Sequence, residues 1–196
     1  MDVALSGWRC RARSEPRASI VLLHGIADNR GSWRGAIDRL TRSGFDVVAY
    51  DSRANGESEG SACSYGFLEK HDLRRVIDTM GDRRVVLIGT SLGAAVALQE
   101  AADDRRVVAI VAAETFSDLR TIATERAPFY FPRFTLPRAF ARAQAMGGFQ
   151  VDAVSPVQAA ARVRRARSSS TARRTPTRRR IIHAASTMRS RVRSAC

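Results

Sequence analysis

Five short apolar runs punctuate the chain: Ala4–Arg9, Ser19–Leu23, Phe45–Tyr50, Val85–Gly89 and Val107–Ala112. The last four are rich in β-branched and aliphatic residues and too short for buried helices, and all five predict strands. Between them, Ser32–Arg42, Gly66–Met80, Ser91–Ala102 and Phe116–Thr124 carry apolar residues at helical spacing. Strands that alternate with helices, and that are apolar without polar alternation, belong to a mostly parallel sheet covered on both faces. The pattern therefore predicts an α/β fold with right-handed crossovers.

The fourth run ends in chemistry. Gly89-Thr90-Ser91-Leu92-Gly93 is a G-x-S-x-G between a strand and an Ala-rich helix, the context of a nucleophile elbow. The turn is tight enough that side chains at Gly89 and Gly93 would collide with neighbouring backbone. It lifts the Ser91 hydroxyl above the carboxyl end of the sheet, where a helix start offers N–H groups and a positive dipole end. The second run closes in His24-Gly25, followed by the polar turn Asp28-Asn29-Arg30-Gly31. The third leads into Asp51-Ser52-Arg53-Ala54-Asn55-Gly56-Glu57-Ser58, and the fifth into Glu114-Thr115-Phe116-Ser117-Asp118-Leu119.

Together these four motifs, over residues 3 to 165, resemble the α/β-hydrolase family, in its serine-aminopeptidase-like and esterase branch. The Asp51–Ser58 stretch is similar to the family's D-x-R-G-x-G-x-S turn, with Ala54 and Asn55 departing from it. The resemblance implies Ser91 as nucleophile and the N–H groups of Ile26 and Leu92 as the oxyanion hole. It implies a structural role for His24 and Gly25, because this layout orders its triad Ser, acid, His and His24 precedes the serine. It also implies that residues 125–150, rich in Pro and aromatics, form a lid-like insertion, whose Phe and Tyr side chains either line an apolar pocket or simply pack on the domain. The implied substrate is a small-molecule ester, thioester or peptide-like amide.

Charge divides the chain. Its formal net charge is +14, but residues 162–196 hold twelve Arg and no Lys, Asp or Glu, leaving 21 basic and 19 acidic residues in 1–161. Residues 1–161 are thus near-neutral, as in an ordinary domain, and the body is read as residues 1–165. The tail, 166–196, has no usable apolar period and is expected to be disordered. In the family this stretch becomes a strand ending H-G and a loop with the catalytic Asp. Shifted by one base, the codons for Arg167 to Ser190 can read P-V-L-I-H-G-A-A-D-T-D-T-P-P-D-H-S-R-R-I-Y-D-A-L, which has that layout. The tail is thus expected to be out of frame, with the C-terminal strands of the fold and the catalytic acid and base missing. The nucleotide sequence across the codons for Val163 to Ser168 decides this.

For the missing roles the sequence offers weak alternatives: Glu114 as acid and His183, the one histidine after Ser91, as base. His71 falls on a predicted helix surface. Cys10, Cys63 and Cys196 show no metal or redox spacing, and no cofactor motif is present. With no signal peptide and no apolar run long enough to span a bilayer, a cytoplasmic enzyme is expected. The alternative class is a non-catalytic protein whose basic tail binds nucleic acid or anionic membrane, although no specific nucleic acid is expected.

Overall fold

A computed structural model describes residues 3–169 apart from residue 82. Its strands are β1 (Gly7–Cys10), β2 (Ala18–Leu23), β3 (Phe45–Tyr50), β4 (Val85–Thr90) and β5 (Val107–Ala113). Its helices are α1 (Arg34–Arg42), α2 (Glu69–Asp78), α3 (Leu92–Ala101), α4 (Leu119–Glu125), α5 (Leu136–Gly147) and α6 (Pro156–Ser169). The strands form one sheet in the order β1-β3-β2-β4-β5. β1 runs antiparallel to β3, and all other pairs are parallel. The α/β-hydrolase fold class read from the sequence is therefore present, with its mostly parallel sheet.

Alternation along the strands splits the core. Ile20, Leu22, Val47 and Ala49 face α1 and pack around Ile37, with Trp33 and Leu40 against them. Val21, Leu23, Val48, Tyr50, Val85 and Leu87 face the other way and meet Leu73 and Ile77 of α2 and Val96 of α3. The Ala-rich α3 is buried almost all round, as expected of a helix lying between a sheet and other helices. Val163 of α6 closes the same cluster.

Several sequence-based boundaries move. β1 begins at Gly7 rather than Ala4, because its extent is set by pairing with β3, Gly7 opposite Tyr50 and Cys10 opposite Val47. The fourth predicted helix begins at Leu119, where Asp118 accepts a hydrogen bond from the Thr121 N–H at 2.8 Å as N-cap. The 125–150 stretch, read only as a lid-like insertion, contains a short 3-10 turn, Arg133–Thr135, and the helix α5. Pro137 is tolerated in the first turn of α5, where its missing N–H has no helical partner anyway. α6 carries its backbone helix through Ser169, past the 165 boundary. The remainder of the basic tail, including His183, lies outside the described residues.

Candidate active site

The loops leaving the carboxyl ends of the strands hold all five non-glycine residues with positive φ among the described residues: Ala27, Ala54, Tyr65, Ser91 and Glu114. Such conformations cost on the order of 1–3 kcal/mol each and persist where surrounding structure dictates them. Ser91 is the most unusual. It lies between the last residue of β4 and the first of α3 with φ 48° and ψ −112°.

Neighbouring contacts force that geometry. The Ser91 N–H donates to the Ala113 carbonyl at 2.9 Å, tying the turn to β5, and its own carbonyl accepts from Ala95 at 3.1 Å as the first bond of α3. A Cβ on Gly89 would come within 2.6 Å of the Gly93 carbonyl oxygen. A Cβ on Gly93 would run into the Leu23 carbonyl and come within 2.7 Å of the His24 carbonyl oxygen. Helix α3 therefore starts pressed against the end of β2, which only two glycines allow.

That contact brings the second motif to the serine. A Cβ on Gly25 would sit 3.6 Å from the Ser91 Cβ, so the His24-Gly25 turn lies directly beside the elbow. Ile26 follows, 48 % exposed, and its loop is shaped by the positive φ of Ala27 and by Asn29, which accepts from the Gly31 N–H at 2.8 Å. Leu92 sends its side chain into the core. Its N–H belongs to the first turn of α3, where backbone donors have no intrahelical partner.

His24 is fully buried and both ring nitrogens are engaged. Nδ1 lies 2.7 Å from the Gly25 carbonyl and must donate to it, while Nε2 accepts from the Ser52 N–H at 2.9 Å. The ring is thereby fixed as a clamp between the turns after β2 and β3. Around it the Asp51–Ser58 turn is saturated. Asp51 accepts from the Arg30 and Glu57 N–H groups at 2.7 and 2.9 Å and pairs with the Arg30 guanidinium. Ser58 Oγ donates to the Asp51 carbonyl at 2.6 Å. Arg53 reaches α2, where both its Nε and Nη2 donate to the buried Asp72, at 2.6 and 2.9 Å. Ala54 takes φ 57° at the position where the family turn carries Gly.

Glu114 directly follows Ala113, the residue that accepts the Ser91 N–H, and is exposed with φ 55°. His71 lies on the exposed side of α2, and burial together with the neighbouring Lys70 and Arg74 charges lowers its pKa. Cys63 is half-buried, and its desolvation, with the nearby Glu69 charge, pushes its thiol up to about 12 and keeps it protonated. No cluster of His, Cys, Asp and Glu suited to a metal ion occurs among the described residues, and no described helix is long and apolar enough to cross a membrane. Sequence reading missed the left-handed backbone at Ala27 and Glu114, for which alanine and glutamate give no signal, and the Arg53–Asp72 pair, whose partners lie 19 residues apart.

Comparison with known proteins places this geometry. The uncharacterized protein YfhR of Escherichia coli is 29 % identical over 136 residues, covering 63 % of this chain and 47 % of that protein. Epoxide hydrolase B of Mycobacterium tuberculosis is 35 % identical over 81 residues, 40 % of this chain and 23 % of that one. Among solved structures, a Pyrococcus furiosus esterase matches with a TM-score of 0.57 at 25 % identity, over 74 % of this chain and 60 % of the other. The chain spans less than half the length of the curated relatives it matches. None of these similarities supports a non-catalytic nucleic-acid or membrane-binding protein. The family model described as alpha/beta hydrolase fold matches residues 18–186, which reaches into the arginine-rich segment. With the sheet order, the elbow and the His24-Gly25 turn in place, the chain belongs to the α/β-hydrolase family.

Proposed function

We propose that the protein is a serine hydrolase of ester, thioester or amide bonds, with Ser91 as nucleophile. The observation that supports this most is the strained φ of Ser91 at a strand-to-helix junction closed by Gly89 and Gly93. In this reading Ser91 Oγ attacks the substrate carbonyl carbon, and the Ile26 and Leu92 N–H groups hold the oxyanion. Collapse of the tetrahedral species breaks the bond to the leaving group and leaves an acyl ester on Ser91, which water then hydrolyses. Chemistry favours a carbonyl over an epoxide. A serine that opened an epoxide would be left as an ether, which water does not cleave, whereas an acyl ester turns over.

The acid–base partners are the weak part of the machinery. His24 is committed to backbone on both nitrogens. His71 sits on the outer side of α2, and His183 lies outside the described residues. Glu114 is the acid that follows the strand residue bonded to Ser91. In this proposal none of the described histidines takes the Ser91 proton, which passes to water or hydroxide, so the described residues supply an oxyanion hole and binding, worth roughly 10³–10⁴-fold over water in enzymes stripped of their triad.

The test is turnover of p-nitrophenyl acetate by the wild type, S91A and H24Q. Expected are slow turnover that S91A abolishes and H24Q retains in its folded fraction, and a rate rising about tenfold per pH unit with hydroxide. Turnover that survives S91A would refute the nucleophile. A plateau with a midpoint near the ordinary histidine value of about 6.5 would instead reveal a histidine base.

A further inference from the structure

The insertion that follows β5 leaves the domain at the same end of the sheet as Ser91, and its surface differs from the rest. Phe129 is 100 % exposed, Phe134 80 % and Tyr130 74 %, and Met146 on α5 is equally open. No residue of α5 is buried. Its half-buried positions, Leu136, Phe140, Gln144 and Gly147, form one stripe toward the body, where Phe140 packs near Phe149 and Gln144 accepts from the Val151 N–H. The neighbouring stripe, Ala139, Ala143 and Met146, is apolar and uncovered, and Arg138 and Arg142 border it.

Charge identifies the kind of partner. From Arg126 to Val151 there are four arginines, 126, 133, 138 and 142, all exposed, and no Asp or Glu. Single exposed apolar side chains are ordinary, but four exposed aromatics within six residues, Phe129, Tyr130, Phe131 and Phe134, with the Phe129 and Tyr130 rings in contact, are not. Exposed aromatic rings on a segment whose charged residues are all arginines match an anionic bilayer surface, where the rings enter the acyl boundary and the guanidinium groups meet lipid phosphates. Pro128, Pro132 and Pro137 stiffen the segment, so little ordering entropy is lost on docking. We propose that residues 126–146 dock the protein peripherally on anionic membrane, with Phe129, Tyr130, Phe134 and Met146 inserted and Arg133, Arg138 and Arg142 on the headgroups. These residues dock whether or not Ser91 is the nucleophile.

The test uses the full chain carrying F129W, a substitution at a fully exposed site. It is mixed with vesicles of phosphatidylcholine alone or with 30 % phosphatidylglycerol, an amount of about one anionic lipid in three chosen to give a strong surface potential. Expected on the anionic vesicles is a blue-shifted F129W emission that acyl-chain-brominated lipid quenches, over the unchanged background of Trp8 and Trp33. F129S/F134S is expected to lower partitioning about tenfold per ring removed. R133Q, R138Q and R142Q should each lower it about fivefold at low salt. Co-sedimentation without quenching at residue 129 would assign binding to the C-terminal arginines and overturn the proposal. So would a dimer in vesicle-free solution that F129S/F134S dissociates, which would make a second copy the occupant.

Discussion

Two turns at the same end of the sheet were built to opposite rules. The Asp51–Ser58 turn after β3 satisfies nearly every polar atom it buries: Asp51 holds two backbone N–H groups and Arg30, and Arg53 is locked to Asp72. The Gly89–Gly93 elbow after β4 buries few polar side chains and concentrates strain at one residue, Ser91, with its backbone pinned by Ala113 and Ala95. Charged residues crowd the first turn and chemistry is proposed for the second. The difference teaches that a motif dense in Asp, Arg and Glu is scaffold when each charge already has a partner. A reactive position is marked instead by imposed backbone geometry around a group left available.

The largest expected effects fall on the elbow's glycines and on the Arg53–Asp72 pair. Gly93→Ala drives a methyl group into the carbonyls of Leu23 and His24, so the start of α3 must lift off β2. Stability should fall by about 3 kcal/mol or more, read as a lowered urea midpoint. An unchanged midpoint would mean that α3 is not held against β2.

Asp72→Ala comes next. It leaves the Arg53 guanidinium buried without its carboxylate, a loss on the order of 3–5 kcal/mol, and it leaves the elbow's own contacts untouched. In the fraction that stays folded, Ser91 chemistry should be unaltered. Loss of Ser91 reactivity in folded D72A protein would show that the two turns are coupled rather than distinct.

Much of this was legible beforehand. β2, β3, β4 and β5 lie within a residue of the apolar runs that predict them, because strands buried on both faces have few polar positions to blur their ends. The elbow was legible because two glycines and a serine at fixed spacing have few other uses between a strand and a helix. The start of β1 was not, since it depends on a partner some forty residues away. α5 was obscured by the prolines and aromatics before it, although Ala, Arg and Met favour helix. The role of Arg53 needed Asp72 across the fold, and the pattern of residues gives no hint of that pairing.

The smallest effect tests the departure from the family turn. Ala54 holds φ 57°, where a Cβ is unfavourable. Ala54→Gly should relieve that strain, offset in part by greater unfolded-state entropy, for a net gain of about 0.5 kcal/mol. A destabilised variant would mean the Ala54 methyl packs usefully and the turn is less strained than its backbone suggests.

The central claim, that Ser91 is the nucleophile, is tested most directly by trapping it. Full-length protein treated with a fluorophosphonate and digested should yield one phosphonylated peptide by mass spectrometry, with the adduct on Ser91, and S91A should yield none. An adduct on any other residue, or no adduct on folded wild-type protein after prolonged exposure at alkaline pH, would contradict it.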